Sequence, residues 1–266
     1  MQATSPWYER LQPALLALLG ISLVVWLALT PPGLLGKADA IGYAVCHRIA
    51  ERSFLLGDRT IPLCSRCSGM YLGALAGFLF QFRLGRRGGL PSHRIQILLG
   101  VFMLAFALDG INSYLTFFPQ APNLYQPQNG LRLLTGTLVG VAIAAVLVPT
   151  FHQVIWRRID ERRSLESFRQ MLILLPIAGV ISASIASENP LVVYPLALLS
   201  IASLLTILIL AYTLAWTMLL KRENTFASWK ELRPLLLLGA LTTLLQIGAL
   251  DAGRYLLTGT WNGFSL

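Results

Sequence analysis

The feature that most constrains this chain is a succession of apolar runs, each about long enough to cross a bilayer, strung between short arginine-bearing connections. A helix needs roughly 20 apolar residues to traverse the hydrocarbon core. Seven stretches qualify: 13–30, 63–82, 95–118, 131–150, 170–187, 195–220 and 234–257. The fifth is short and holds Ser182, Ser184 and Ser187, and the sixth is long enough to tilt. Chain breakers fall between the runs, at Pro31-Pro32-Gly33, Gly88-Gly89-Leu90-Pro91, Pro119 through Pro127, and Glu188-Asn189-Pro190. Composition agrees, since 55% of the 266 residues are hydrophobic and only 12% are charged. A water-soluble domain carries about twice that charge. The expected fold is all-α, a polytopic transmembrane bundle of about seven spans forming one membrane domain.

Positive charge sets the sidedness. Arg83, Arg86, Arg87 and Arg94 follow the second run, Arg157, Arg158, Arg162, Arg163 and Arg169 the fourth, and Lys221, Arg222, Lys230 and Arg233 the sixth. The intervening connections 119–130 and 188–194 carry no Lys or Arg. The positive-inside rule then places the N-terminus in the cytoplasm and the C-terminus outside, in a multi-pass protein of the cell membrane. Segment 31–62 becomes an external loop, although it bears Lys37, Arg48, Arg52 and Arg59 against Asp39, Glu51 and Asp58. Ala38-Asp39-Ala40 has the form of a signal-peptidase site. The long apolar run before it, with Arg10 its one preceding basic residue, reads instead as a retained anchor. The formal charge of +9 lies in these loops rather than in a basic stripe with interleaved aromatics, which excludes nucleic acid as a partner. Residues 157–169 read as a short amphipathic surface helix, and His93 and His152 as solvated or headgroup-level side chains. Gly69, Gly73 and Gly77 form a small-residue seam along the second run, and Gly136 and Gly140 offer another on the fourth.

All three cysteines fall in one short segment, Cys46-His47 followed by Cys64-Ser65-Arg66-Cys67. A Cys-x-x-Cys pair opening a helix holds two sulfurs at chelating distance. The helix-end potential and Arg66 favour thiolate there. Adding Cys46 and His47 gives a candidate tetrahedral set of three sulfurs and one imidazole for a divalent metal, zinc ahead of iron. Because adjacent residues seldom ligate one ion together, Cys46 or His47 alone can serve, with water or Asp58 completing the shell. Two other readings stand beside it. One is thiol–disulfide exchange at Cys64 and Cys67 coupled to a quinone, for which three cysteines are one short of two pairs. The other is a disulfide or metal staple in a structural subunit or transporter component.

Ionisable groups within a span are costly unless paired or wetted, so each marks a candidate site. Asp109 and Asp251 lie in the outer halves of their runs and are candidate proton acceptors or further ligands. Arg132, Arg254 and Asn112 are candidate substrate-binding residues for a lipid-like or small anionic group. Asp109 with Arg132, and Asp251 with Arg254, can equally be ion pairs locking the bundle. Tyr114 and Tyr255 read as interfacial aromatics.

Cys46-His47, Arg52-Ser53-Phe54, Pro62-Leu63-Cys64-Ser65-Arg66-Cys67 and Gly69 together resemble the signature of a family of uncharacterised prokaryotic membrane proteins, a domain of unknown function. The likeness continues at Asp109-Gly110 and at Asn129-Gly130-Leu131-Arg132-Leu133-Leu134-Thr135-Gly136, so it spans about residues 40–140. Ala50 stands where that family often has Pro, and Ser68 where it often has Thr. The resemblance supports these motif boundaries and supplies no chemistry. No Walker motif, nucleophile elbow or dinucleotide fingerprint occurs, so ATP-driven and serine-hydrolase chemistry have no support. The expected partners are membrane lipid and a quinone or small anionic ligand. Whether the chain catalyses a reaction stays open.

Overall fold

A computed structural model describes residues 11–118, 120 and 122–263. Arg10 and Pro119, which enter the reading above, lie outside the described residues. Eight α-helices are present among them: α1 (Gln12–Leu29), α2 (Gly33–Val45), α3 (Ser65–Phe82), α4 (His93–Leu115), α5 (Asn129–Ile155), α6 (Phe168–Ile185), α7 (Pro190–Leu219) and α8 (Trp229–Thr258). Two short pairings accompany them, β1 (Leu55–Leu56) with β2 (Arg59–Thr60), and β3 (Arg87–Gly89) with β4 (Asp160–Arg163). The chain is a multi-pass, all-α membrane protein. Helices α1, α4, α5, α6, α7 and α8 are long and apolar enough to cross a bilayer. Their outward faces bear bare aliphatic side chains, among them Val24, Leu29, Val101, Leu104, Leu172 and Val180. In water such a surface would aggregate, whereas in lipid it is the solvated side.

Helix α3 is the exception among the seven apolar runs. It has 18 residues, of which ten are buried, including Ser65, Ser68 and Gln81. It packs most extensively against α5. Glycines make that contact possible. A Cβ on Gly140 would stand 1.9 Å from the Met70 carbonyl oxygen, and one on Gly136 2.1 Å from that of Arg66. From the other side, Gly69 and Gly73 would meet the carbonyl oxygens of Leu133 and Thr137 at 2.3 and 2.2 Å. The two small-residue seams are therefore the two faces of one interface. Lipid gives helices no hydrophobic reason to associate, so close backbone approach and dispersion supply the attraction.

Two segments depart from the sequence reading. Within 31–62, residues 33–45 form α2, whose buried side includes Ala38, Ala40, Ile41 and Tyr43. At 13 residues it is too short to span. It packs on α8 and α7, and the Ala38-Asp39-Ala40 triplet lies inside it. Residues 157–169 contain no amphipathic helix. Within them Asp160–Arg163 form β4, parallel to β3, because Gly89 lets the backbones approach: a Cβ there would lie 2.7 Å from the Glu161 carbonyl oxygen. The basic connections also meet at this end. The Arg157 N–H donates to the Phe226 carbonyl at 2.8 Å, and the Arg86 guanidinium lies 4.0 Å from the Trp156 ring. His93 is exposed, but His152 is buried, with Nδ1 3.1 Å from the Arg87 carbonyl oxygen. A phenylalanine- and tryptophan-lined corner at Phe151 and Trp156 covers it, which its place in the sequence did not foretell.

The glycine interface generates a test. Gly140→Ala drives a methyl into a backbone oxygen and should destabilise the protein by about 3 kcal/mol or more. Gly100→Ala meets nothing within 4 Å and should change stability by less than about 1 kcal/mol. Thermal unfolding of the purified protein in detergent reads both. Equal behaviour of the two variants would remove the interface from its central role.

Candidate metal and anion site

The cysteine end of the bundle lies one helix length from the basic connections, since α3 begins beside Cys64 and runs to Arg83. Helix α2 ends at Val45, and Cys46 follows in extended conformation with its N–H bonded to the Gly42 carbonyl. Gly42 lets α2 press on the segment entering α3: a Cβ there would be 2.1 Å from the Pro62 carbonyl oxygen. Cys64 caps α3, and its N–H donates to Cys46 Sγ at 3.4 Å. Cys67 follows in the first turn. The three sulfurs lie within 4.8 Å of one another, with Cys46 buried and the other two half-buried. All three are free of disulfide bonds.

That separation lets one ion be shared, because tetrahedral zinc–thiolate geometry at about 2.3 Å per bond places sulfurs under 4 Å apart after a small inward movement. Hydrogen bonds from the Cys64 and Cys67 side chains hold the Cys46 thiol well below its ordinary pKa. The same contact with Cys46 pushes Cys64 up to about 11. One thiolate therefore forms readily, and further negative charge needs a cation among the sulfurs. Three close cysteines of this kind can hold a metal ion.

His47 is not part of the sulfur group. Its backbone carbonyl accepts from Arg254 Nη2 at 3.3 Å, and the residue lines an adjacent pocket. Cys46 contributes its sulfur to the cluster, whereas His47 borders the same cavity as Cys64. Asp58 lies at the exposed tip of the β1–β2 turn and is likewise not among the clustered ligand atoms. The set the structure assembles is three thiols, without the imidazole.

The intramembrane charges pair differently from the expected combinations. Asp109, on α4, forms its ion pair with Arg66 of the Cys-x-x-Cys segment, and its other oxygen accepts from the Tyr125 hydroxyl at 2.7 Å. Thr135 adds a longer contact at 3.4 Å. Arg132 donates to Ser113 Oγ at 3.4 Å and to Asn129 Oδ1 at 2.9 Å rather than to Asp109. Arg66 reaches Asp109 because its long side chain extends from the first turn of α3 to α4, where it also donates to the Asp109 carbonyl and to Ser113 Oγ, both at 3.0 Å. Asp251 accepts a hydrogen bond from Trp26 Nε1 at 2.9 Å and forms no ion pair with Arg254 among those of the described residues. Arg254 donates to the carbonyls of Tyr43 and Cys46 at 2.6 and 2.8 Å, and its guanidinium lies 4.0 Å from the Tyr43 ring. It caps the carbonyl end of α2, where a cation is favoured. Asn112 is also engaged in structure. Its amide donates to the Tyr125 carbonyl at 2.9 Å and accepts from the Leu124 N–H at 2.8 Å, holding the loop that carries Tyr125.

Beside the sulfurs lies a cavity of about 180 Å³, bordered by Cys64, His47, Arg52, Arg66, Arg132 and the Phe117 ring. Three guanidiniums border it, and one acid, Asp109, stands behind Arg66. Arg52 donates to the Ser113 carbonyl at 3.2 Å and to Thr116 Oγ1 at 3.0 Å, and lies 4.2 Å from the Phe117 ring. Burial, and then the neighbouring Arg66, lower the Arg52 pKa. Positive charge is thus in excess. Sequence reasoning singled out Arg132 for anion binding and missed Arg52. It read Arg66 only as a neighbour of the thiols, although its place between the two cysteines was the available signal. Nothing local marked Tyr125.

Residues 46–146 match the family model described as "Predicted membrane protein (DUF2085)", an interval that contains every cysteine, Arg66, Asp109 and Arg132. An uncharacterised protein of Methanothermobacter thermautotrophicus is 30% identical over 111 residues, covering 42% of this chain and 91% of its own length. An uncharacterised protein of Methanocaldococcus jannaschii is 24% identical over 119 residues, covering 45% of this chain and 71% of its own. No solved structure matches. The chain belongs to the DUF2085 family of predicted membrane proteins.

Proposed function

We propose that this protein is a metal-dependent membrane protein that binds a small anionic group beside a zinc or iron ion held by Cys46, Cys64 and Cys67. The observation that carries the reading is that Cys64 belongs both to the sulfur cluster and to the wall of the arginine-bordered cavity. Three protein ligands leave a fourth position on a tetrahedral ion, the arrangement of catalytic rather than purely structural sites. Three thiolates around a divalent ion carry a net negative charge, which Arg52, Arg66 and Arg132 offset while attracting an anion. The cavity is smaller than a drug-sized pocket, so its occupant is a compact oxyanion or the charged head of a larger molecule such as a lipid phosphate. The loop charges favour an external position for this end. Soft sulfur donors favour zinc or iron over magnesium or calcium. When bound, the ion would supply Lewis-acid polarisation or an activated water, while Arg52 and Arg132 orient the anion toward it.

Elemental analysis of purified protein should give roughly one zinc or iron per chain. Cys46→Ser, Cys64→Ser and Cys67→Ser should each lose most of it, whereas His47→Ala should keep it. A metal-free protein with a reducible Cys64–Cys67 disulfide would replace this reading with thiol oxidoreduction.

The arginines separate anion binding from bundle locking. With phosphate as the probe, Arg52→Ala and Arg132→Ala should each weaken binding by about tenfold with metal content unchanged. Asp109→Asn strips the buried partner from Arg66 and should destabilise the fold by about 3 kcal/mol, read as a lowered Tm. If both arginine variants bind phosphate normally and only lose stability, the cavity is a structural lock.

A further inference from the structure

A second cavity lies outside the family-matched interval, between α1 and α8, and shares no lining residue with the arginine-bordered cavity. Its volume is about 780 Å³, and its walls are almost wholly apolar, with Ile21, Val25, Leu245 and Leu256 among them. Those four side chains are also among the outward-facing set, so the cavity opens on the lipid flank of the bundle. Asp251 contributes its one carboxylate, and the rings of Tyr255 and Trp261, with centroids 5.3 Å apart, stand beside it.

Asp251 is 3% exposed. Trp26 Nε1 satisfies Oδ2, but Oδ1 is buried with no hydrogen-bond partner among the described residues. A carboxyl oxygen left bare in an apolar wall costs free energy that a donor from a ligand would recover. We infer that this cavity binds a membrane-soluble molecule with an apolar tail and a hydroxyl head, the hydroxyl donating to Asp251 Oδ1. A neutral hydroxyl fits better than an ammonium group. Arg254 lies one turn along α8, and Lys37 donates to Thr30 Oγ1 at 2.9 Å on the cavity's border, so this part of the molecule already carries two cations. The volume matches a prenyl-sized ligand. Two membrane sources offer this chemistry, a quinol and an isoprenoid alcohol.

The full chain in detergent provides the test, with a short-chain quinol and farnesol as probes, each compared with its own methyl ether. Quenching of tryptophan emission reports occupancy, because Trp26 borders the cavity. The free hydroxyl form should bind about tenfold more tightly than its ether. Tighter binding of the quinol assigns the site to the quinone pool, and tighter binding of farnesol to isoprenoid lipid. Ala252→Phe, at an exposed position on the cavity wall, should abolish binding of both without altering metal content. Asp251→Asn gives its carbonyl to Trp26 and turns an N–H2 donor into the cavity, so the preference should reverse toward the ether. Equal binding of alcohol and ether by the native protein, or binding that survives Ala252→Phe, overturns the inference.

Discussion

The arrangement of this protein depends on one contact, the backbone-to-backbone approach of α3 and α5. The nearest opposed groups are carbonyl oxygens and glycine Cα atoms, so the two helices lie closer than side chains of ordinary size allow. This closeness makes α3 an interior helix although it is not among the helices apolar enough to cross a bilayer. Gln81 can be buried there because its amide donates to the Ala144 carbonyl of α5 at 2.8 Å. It also fixes the depth at which α3 begins. Gly136 faces the Arg66 carbonyl, so the Cys-x-x-Cys segment is registered against the first turns of α5, and the Arg66 side chain extends from there to Asp109 on α4.

From that register follows a division of labour among the arginines at the cysteine end. Arg254 holds the carbonyls that close α2 and thereby positions Cys46. Arg48 and Arg59 both pair with Asp39 and tie α2 to the chain that leads to Cys64. Arg66 is matched by Asp109. Arg52 and Arg132 donate to neutral oxygens and border the cavity, and neither is in an ion pair among the described residues. The basic residues of 31–62, which sit awkwardly with a positive-inside reading, have local structural work at this end of the bundle. Their number says less about membrane orientation than the three basic connections at the opposite end.

Different parts of this architecture were legible to different degrees. The long apolar runs appear as helices close to their expected positions because a 3.6-residue period is unnecessary for a lipid-exposed helix; mean apolarity over about 20 residues suffices. The glycine seams were legible for the same local reason, as a four-residue spacing on one helix face. Helix α2 was not, because its 13 residues mix Lys37 and Asp39 with small apolar side chains and resemble a loop in composition. Strand β4 was missed since its pairing partner, β3, lies some 70 residues earlier in the chain. The ion pairs failed for a related reason. Proximity in sequence favoured Asp251 with Arg254, whereas the carboxylate found an indole from α1 and the guanidinium found a helix end.

What the sequence determined by itself was the membrane-embedded helical class, the seams and the identity of the chemically capable residues. Each of those follows from composition or from spacing within a single helix. The tertiary structure alone decided that Cys46 joins the other two sulfurs, that Arg52 and Arg66 join Arg132 around one cavity, and that Asp251 Oδ1 is buried without a hydrogen-bond partner among the described residues. Those outcomes depend on where α2 ends beside the start of α3 and on how closely α3 and α5 approach. Neither quantity is encoded in any short segment; both emerge when separated helices pack.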